Sequence, residues 1–264
     1  MLLEGKKIVI TGGVTGIGQA TAIVCAKEGA SVVTLSRAKA TDERAIETMN
    51  ACKNVGKGTF AHLTVDVSDR DAVFKTMDEA AKILGGIDCI VNSAGIETHG
   101  NAAEVEAEEL FRVFGINING TIFANQAALK YLKAAGGGTI INFSSVAGIE
   151  GVVGMTAYTA SKGAIAAYSR ELAQEWGGFN IRVHALLPAV ATELARRCYD
   201  DAADDVKYVY DALGEKVLVG TKKGYARLGD TVEVGNLIAF LASDMATFMT
   251  GQTVGVDGGM VLTR

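Results

Sequence analysis

The sequence has little proline and few aromatic residues. Pro188 is its only proline, and phenylalanine, tyrosine and tryptophan together make up 6% of its 264 residues. Glycine is frequent, at 32 residues, but without accompanying proline, so collagen-like and proline-rich chains are excluded. Hydrophobic residues make up 49%, whereas disordered chains lack the apolar mass to offset the entropy of ordering. We expect one domain over residues 1–264, because α/β folds of this length often form a single unit.

The sequence also lacks an excess of basic residues, long apolar runs and a leader segment. Lysine and arginine number 25 against 30 aspartates and glutamates, which gives a net charge of −5, whereas nucleic-acid binding requires a basic face. No apolar run reaches the ~18 residues that span a bilayer. Residues 1–5 lead into strand-like sequence without the apolar segment of a signal peptide. We therefore expect a cytoplasmic protein that binds neither nucleic acid nor membranes.

Cysteine and histidine are too few and too scattered for a disulfide framework or a metal site. The four cysteines, Cys25, Cys52, Cys89 and Cys198, form no CxxC motif, which favours reduced thiols in a cytoplasmic setting. His62, His99 and His184 lack the spacing of metal ligands. The sequence therefore predicts no metal.

Short apolar runs alternate with longer helical patterns along the whole chain. The predicted strands are 8–10, 32–35, 60–65, 87–91, 139–143, 181–187 and 253–256. The predicted helices are 17–28, 42–54, 69–84, 106–133, 158–176 and 231–242. Several strands are apolar at successive positions, which is typical of parallel strands buried on both faces. The pattern predicts an α/β fold of the Rossmann type, a doubly wound, seven-stranded, mostly parallel sheet with helices on both faces.

The first predicted strand runs into a glycine-rich turn. Gly12, Gly16 and Gly18 follow Ile8–Ile10 and precede a helix. Glycines at such a turn let backbone N–H groups approach a pyrophosphate, and the helix N-terminus adds partial positive charge. The strand–turn–helix context favours a dinucleotide site; the alternative is a turn that only allows close packing of the helix on the strand.

The second predicted strand ends with a hydroxyl and a guanidinium. An acidic residue there would accept hydrogen bonds from the ribose hydroxyls, but this chain has Ser36 and Arg37. Arginine suits bidentate phosphate binding, so the sequence favours NADP(H), with NAD(H) as the alternative. Asp66 and Val67 follow the third strand and are expected to bond the adenine ring.

Further motifs occur in a fixed order along the chain. They are the 11–18 turn, Asn92-Ser93-Ala94-Gly95, Ser144-Ser145, Tyr158-Thr159-Ala160-Ser161-Lys162 and the 251–259 segment. Together they resemble the short-chain dehydrogenase/reductase family in its single-domain form. The chain departs from that family's pattern at Ser93, where the family usually has asparagine, and at Ala189, where it usually has glycine.

The tyrosine and lysine have a chemical reason to be four residues apart. A ketone that receives a hydride needs a proton, and an unperturbed phenol has a pKa of ~10. Lys162 lies on the same helix face as Tyr158, and its charge would stabilise the phenolate and lower that pKa. Ser145, rather than its neighbour Ser144, would hold the substrate oxygen. The resemblance implies that Asn117, with Asn119 as a rival, positions a water beside Lys162.

Two binding sets follow from the resemblance and from the expectation that ligand contacts come from the loops at the carboxyl ends of the strands. The predicted coenzyme-binding residues are Gly12, Thr15, Gly16, Ile17, Gly18, Ser36, Arg37, Asp66, Val67, Asn92, Ala94, Gly95, Tyr158, Lys162, Pro188, Val190 and Thr192. The predicted substrate-contacting residues are Ser145, Tyr158, Glu97, His99, Val152 and Met155, with Ile96, Thr98, Val153, Val190 and Leu194 as further candidates. Residues 189–228 interrupt the strand–helix rhythm, which predicts either a substrate lid or an ordinary pair of surface helices.

These features predict an oxidoreductase that transfers a hydride between NADP(H) and a small-molecule secondary alcohol or ketone. The apolar candidates favour an apolar or cyclic substrate, such as a hydroxysteroid-like alcohol. The alternatives are a 3-ketoacyl-(carrier protein) reductase and a non-catalytic NADP-binding protein. The resemblance, with Ala- and Gly-rich helices that permit close packing, implies a homotetramer or homodimer.

Overall fold

A computed structural model describes residues 1–193, 207, 211, 215–219 and 228–262. The strands in this part of the chain are β1 (Lys7–Thr11), β2 (Ser31–Ser36), β3 (Phe60–Thr64), β4 (Cys89–Asn92), β5 (Gly138–Phe143), β6 (Ile181–Pro188) and β7 (Thr253–Val256). The α-helices are α1 (Gly16–Lys27), α2 (Glu43–Val55), α3 (Arg70–Leu84), α4 (Ala107–Phe114), α5 (Gly120–Ala134), α6 (Ala147–Glu150), α7 (Thr156–Trp176) and α8 (Thr231–Ala242). Each predicted strand is present, with boundaries that differ by at most two residues.

The strands form one sheet whose order is β3-β2-β1-β4-β5-β6-β7. Every strand pairing in the described residues is parallel, and Ile10, for example, lies beside Thr34 on one side and Val91 on the other. This is the doubly wound sheet that the sequence predicts. The chain reverses its winding between β1 and β4, and ligands of such folds bind at the carboxyl ends of the strands at this point.

Each face of the sheet is covered by helices and has its own core. On one face α1 and α8 pack together, with Cys25, Val234 and Ile238 buried against the strands. On the other face α3, α5 and α7 bury residues such as Met77 and Leu132. Burial on both faces explains why the strands are apolar at successive positions.

The predicted helix 106–133 contains an irregularity. The structure places α4, a π-helical turn over Gly115–Asn119 and α5 in one continuous rod. The turn reads Gly-Ile-Asn-Ile-Asn and buries Asn117, and this local sequence does not by itself predict a π-helical turn. π-Bulges of this kind occur frequently at functional sites.

Several helices begin where the sequence provides a cap. The side chains of Asp42, Asp69 and Asp230 each accept a hydrogen bond from the first turn of α2, α3 and α8, which satisfies an otherwise unpaired N–H group. The catalytic-motif helix α7 begins at Thr156, two residues before the predicted start, and Met155 precedes it without a side-chain cap. These two extra residues place Tyr158 inside the helix.

The described part of the predicted lid is small. Val190 and Gly229 form an isolated parallel bridge, and Leu218 and Val219 donate backbone hydrogen bonds to Gly258. Leu194 and most of 189–228 lie outside the described residues, so the lid stays a prediction. Among the described helices, none has both the length and the apolar character to cross a bilayer.

Candidate active site

A cleft of about 650 Å³ opens at the carboxyl ends of β1, β2 and β4. Its lining residues are Gly12, Val14, Thr15, Ser36, Arg37, Ala38, Lys39, Thr41, Asp42, Arg44, Val65, Asp66, Val67, Ala94, Gly95, Ile96 and Ile116. Eight of the predicted coenzyme residues are in this set, from the glycine-rich turn, from the ends of β2 and β3 and from the loop after β4. The cleft therefore lies at the reversal point of the sheet.

Of the three spaced glycines of the glycine-rich turn, Gly12, Gly16 and Gly18, two have no room for a side chain. Gly12 has a φ of +66°, and a Cβ there would lie 2.8 Å from the Cα of Ala94. A Cβ on Gly18 would lie 2.3 Å from the carbonyl oxygen of Gly12. These glycines let the turn, the start of α1 and the loop after β4 pack against one another.

Gly16 differs from the other two because space lies in front of it. Its φ is +52°, and the nearest atoms that a Cβ would meet are 3.8 Å away on Thr192. The helix that starts here has no side-chain cap and no acidic residue in its first turn. Its N-terminal N–H groups therefore suit the pyrophosphate of a dinucleotide, whose charge they can bind. On this observation the residues present fit NAD(P).

The ends of β2 and β3 supply the polar end of the cleft. Asp42 forms a bidentate ion pair with Arg44, whose Nε and Nη2 donate to the two carboxylate oxygens at 2.9 and 2.8 Å. The hydrogen bonds from Arg44 lower the pKa of Asp42 to about 2. Arg37 makes no salt bridge within the described part of the chain. The pKa of Asp66 is lowered mainly by two hydrogen bonds from Ser68, and the charge of Arg37 lowers it further.

The two candidate serines at the end of β5 have different environments. Ser144 is buried, and its hydroxyl donates to the Lys162 carbonyl oxygen at 2.8 Å. Ser145 is half-buried, and its Oγ accepts from the Ala147 amide at 3.2 Å. The Ser144 hydroxyl therefore connects β5 to α7 and has already donated its proton. Ser145 is the serine whose O–H can reach a ligand.

Lys162 is a buried cation beside Tyr158. Its side chain is 6% exposed, and Nζ donates to the Phe143 carbonyl oxygen at 2.8 Å. Nζ lies 5.6 Å from the centre of the Tyr158 ring. Burial lowers the pKa of Lys162 to about 8, and the charge of Glu97 opposes that effect. Lys162 therefore still carries its charge at neutral pH.

Asn117 has its side-chain amide fully engaged with protein groups. It is 1% exposed and lies in the π-helical turn. Its Oδ1 accepts from the Ile96 amide at 2.9 Å, and its Nδ2 donates to the Ile96 carbonyl at 2.9 Å and to Ser161 Oγ at 3.0 Å. Asn117 thus joins the loop after β4 to α7. A Cβ on Gly95 would lie 3.3 Å from Asn117 Oδ1 and 3.6 Å from Lys162 Nζ, so the two side chains converge.

Four other predicted coenzyme residues, Asn92, Pro188, Val190 and Thr192, are not among those that line the cleft. The side chain of Asn92 points into the core, where Nδ2 donates to Asn125 and Asn142 at 2.6 and 2.9 Å. Pro188 ends β6, and the buried Val190 follows it. Thr192 lies beside Gly16, where a Cβ would be 3.8 Å from its side chain. Ala189, at the family's usual glycine position, donates its N–H to Val256 at 2.9 Å.

The predicted substrate residues divide into a polar and an apolar group. His99 Nε2 lies 3.4 Å from Glu97 Oε1, in the loop that pairs with the start of α7 through the Gly100–Met155 bridge. Met155 is buried, Val152 is half-buried and Val153 is 76% exposed. The structure therefore brings Glu97, His99 and Met155 to the same end of the sheet as Lys162.

Sequence reasoning missed several residues of this site. Lys39 and Arg44 line the cleft beside Arg37, and Ser161 connects Asn117 to the Tyr158 carbonyl oxygen, to which it donates at 2.7 Å. Lys39 and Arg44 were detectable as further cations close after β2. The role of Ser161 depends on which face of α7 meets the π-helical turn, and a single sequence does not reveal that.

Comparison with known proteins places the chain in a family of oxidoreductases. A family model described as Enoyl-(Acyl carrier protein) reductase matches residues 12–261. The chain is 32% identical to the 3-oxoacyl-[acyl-carrier-protein] reductase FabG of Thermotoga maritima, over 99% of this chain and 100% of that protein. It is 34% identical to the meso-2,3-butanediol dehydrogenase of Serratia marcescens, over 98% of this chain and 96% of that protein.

A solved structure gives the same assignment. A short-chain type dehydrogenase/reductase from Mycobacterium ulcerans matches with a TM-score of 0.88 and 26% identity, covering 100% of this chain and 92% of that chain. The fold and the cleft define a dinucleotide-dependent oxidoreductase. The chain belongs to the short-chain dehydrogenase/reductase family, as its motifs indicate, and uses NAD(P).

Proposed function

We propose that this enzyme transfers a hydride between NADP(H) and a secondary alcohol or ketone, with Tyr158 as the general acid and base. The observation that carries the proposal is the buried Lys162, whose Nζ is fixed on the Phe143 carbonyl and lies 5.6 Å from the centre of the Tyr158 ring. A cation held in a poorly solvated site favours the phenolate form of a neighbouring tyrosine. It therefore prepares Tyr158 to exchange a proton with a substrate oxygen.

Each residue of the proposed site has a separate role. Bound coenzyme supplies or accepts the hydride at its nicotinamide ring. Ser145 donates its O–H to the substrate oxygen and stabilises the negative charge that develops there. Tyr158 gives that oxygen its proton in reduction and takes it in oxidation. Lys162 stabilises the phenolate, and Asn117 holds the Ile96 backbone so that the loop after β4 stays against α7.

The preference for NADP(H) rests on the charges at the end of β2. Arg37 and Lys39 are exposed cations on the cleft, while the nearby carboxylate of Asp42 is neutralised by Arg44. Ser36 Oγ accepts from the Ala38 amide at 3.1 Å, so its O–H is left to donate to an acceptor. A 2′-phosphate is an acceptor with negative charge, and this set of groups suits it.

The substrate pocket favours a secondary alcohol or ketone that is apolar or cyclic. Met155 and Val152 form an apolar side near α7, while Glu97 and His99 supply a polar edge. One relative is a meso-2,3-butanediol dehydrogenase, and its name supports a secondary alcohol as the substrate. A hydroxysteroid-like alcohol also suits an apolar wall with a polar edge.

A 3-ketoacyl group on an acidic carrier protein is the second candidate, and it is favoured by the resemblance to FabG. A carrier requires a basic landing surface, for which the sequence suggests Lys130 and Lys133. Lys130 already forms a 2.7 Å ion pair with Asp78. Lys133 makes a cation–π contact with Phe179, in which Nζ lies 3.5 Å from the centre of the ring. Both cations are engaged within the protein, so the free ketone is the better candidate.

The proposal includes three further features, of which the lid and the location are predicted from the sequence and the oligomeric state is implied by the resemblance. Residues 189–228 act as a substrate lid, the protein assembles as a homodimer or homotetramer, and it works in the cytoplasm. Two exposed alanines of α7, Ala160 and Ala167, are small enough to permit close packing between copies.

A screen of alcohols and ketones, read by the absorbance of the reduced coenzyme, tests the proposed function. We expect turnover with NADPH and a carrier-free ketone, and an Arg37→Ala variant should weaken NADPH binding about tenfold with a smaller effect on NADH. A strong preference for NADH contradicts the coenzyme assignment. Coenzyme binding without turnover on any substrate would instead favour the non-catalytic alternative.

A further inference from the structure

A buried histidine connects the two strands that carry the adenosine end of the cleft. His62 on β3 lies opposite Thr34 on β2 in the sheet register. Its ring is nearly enclosed, with 8% of the residue exposed. Nδ1 lies 2.9 Å from Thr34 Oγ1, and Nε2 lies 2.9 Å from the Ala38 carbonyl oxygen. Both ring nitrogens are therefore paired, and one partner belongs to the cleft.

The chemistry of the partners fixes the roles of the two nitrogens. A carbonyl oxygen can only accept, so Nε2 must carry the proton that it donates to Ala38. In the neutral ring Nδ1 then accepts from the Thr34 hydroxyl, which can donate. The hydrogen bonds thus run in one direction, from Thr34 to His62 and from His62 to Ala38.

Ala38 is the residue on which several of these contacts meet. Its carbonyl oxygen accepts from His62 and also from Thr64 Oγ1 at 2.9 Å, while its amide donates to Ser36 Oγ at 3.1 Å. Ala38 lies between Arg37 and Lys39, two of the exposed cations that line the cleft. Fixing this peptide therefore fixes the backbone from which both cations extend.

Thr34 joins the same contacts to the glycine-rich turn. A Cβ on Gly13 would lie 2.6 Å from Thr34 Cγ2, so the turn rests directly on this side chain. Through Thr34, His62 and Ala38, the pyrophosphate end and the adenosine end of the cleft share one buried support. Holding a binding loop in its bound conformation improves affinity because less ordering is needed when the ligand binds.

We infer that His62 is a positioning residue for the coenzyme, which holds the loop 36–39 so that Arg37 and Lys39 face the 2′-phosphate. The inference rests on the proposed use of NADP(H) for its consequence on selectivity. His62 itself is separated from the cleft by the Ala38 peptide and acts through it. Its loss should weaken NADPH more than NADH, since only NADPH uses the cations of this loop.

Two substitutions at His62 separate its two hydrogen bonds. In His62→Gln the amide nitrogen can reach the position of Nε2 and keep the bond to Ala38, whereas in His62→Asn the shorter amide reaches only the position of Nδ1 near Thr34. We expect His62→Asn to raise the NADPH dissociation constant about tenfold, the size of one lost hydrogen bond, and NADH about threefold. His62→Gln should stay within about twofold of the wild type for both.

The dissociation constants are measured by fluorescence titration of the purified full-length protein, with its melting temperature recorded in parallel, so no substrate is needed. A purely structural role would lower the melting temperature of both variants without changing the ratio of the two dissociation constants, and that result overturns the inference. Thr34→Val, which keeps the shape beneath Gly13 but removes the hydroxyl, tests the same contacts if a His62 variant does not fold. It should shift the ratio in the same direction, and an unchanged ratio counts against the inference.

The two proposals fail in different ways. If the wild type binds NADH more tightly than NADPH, the coenzyme assignment is wrong. The His62 inference is then tested with NADH alone. If His62→Asn binds NADH more weakly than the wild type and His62→Gln does not, the inference is supported. If both variants bind NADH equally well, the inference is overturned.

Discussion

Lys162 shows how the site places a charge where water does not solvate it. Burial lowers its pKa from 10.5 to about 8, because the charged form loses more than the neutral form on leaving water. A shift of this size corresponds to roughly 3 kcal/mol against the folded protein while the group is charged. The hydrogen bond to Phe143 offsets part of this cost.

We predict that Lys162→Met changes the pH dependence of stability. The folded protein releases this proton near pH 8 and the unfolded chain near 10.5, so the wild type gains stability as the pH rises between these values. The free energy of unfolding of the variant relative to the wild type should therefore fall by about 3 kcal/mol from pH 7 to pH 10.5. Urea unfolding of both proteins across this range measures it, and a constant difference would show that Lys162 is solvated.

At the residue scale, the sequence indicated which residue types do the chemistry but not how each is held. Ser145 could be preferred over Ser144 by spacing, and the structure supplies the reason, since Ser144 is bonded to the Lys162 carbonyl. The side chain of Asn117 could not be placed, because its three hydrogen bonds go to Ile96 and Ser161, which are distant in sequence.

At the scale of elements, different glycines of the glycine-rich turn serve close packing and coenzyme binding. Gly18 is required because its Cα approaches the Gly12 carbonyl, whereas Gly16 faces space beside Thr192. The two positions therefore serve different ends, although the sequence motif presents them alike.

We predict different outcomes for Gly16→Ala and Gly18→Ala. Gly16→Ala should lower the free energy of unfolding by only about 1 kcal/mol, the cost of a left-handed backbone for alanine, but weaken coenzyme binding about tenfold by filling the space for the pyrophosphate. Gly18→Ala should destabilise the fold by at least about 2 kcal/mol through overpacking. Urea unfolding and coenzyme titration distinguish them, and equal effects of the two changes on both measurements would refute this division.

Most elements were predictable because each has a local signal. The strands are apolar at successive positions and buried on both faces, and Asp42, Asp69 and Asp230 mark helix starts. The π-helical turn at Gly115–Asn119 was not predicted. Its cause is the set of contacts that Asn117 makes with other elements, and a periodicity within one helix does not record such contacts.

At the scale of the whole molecule, the doubly wound parallel sheet could be predicted from the alternation of strands and helices, since right-handed crossovers leave few arrangements, whereas the strand order comes from the structure. The position of the cleft follows from the same order.

Acid stability is another property of the whole fold, and His184 on β6 contributes to it. This residue is 0% exposed, and burial, assisted by the charge of Arg182, lowers its pKa from 6.5 to about 4.

We predict that His184 makes the protein less stable in acid. Both states are neutral above about pH 6.5, but below it the unfolded chain takes up a proton that the folded protein resists until about pH 4. The free energy of unfolding should therefore fall by about 3 kcal/mol over this interval on account of His184 alone. In His184→Gln the fall should be smaller by that amount. Identical pH profiles for the two proteins in urea unfolding would contradict the assignment.

The central claim is that Tyr158 exchanges the proton with the substrate while Lys162 stabilises its phenolate. The most direct measurement is single-turnover oxidation of bound NADPH by a ketone substrate in Tyr158→Phe, with the NADPH dissociation constant determined on the same sample. The account predicts a fall in rate of at least about a hundredfold, the usual contribution of general acid catalysis, with the dissociation constant within about twofold of the wild type. A Tyr158→Phe variant that turns over at the wild-type rate would contradict it.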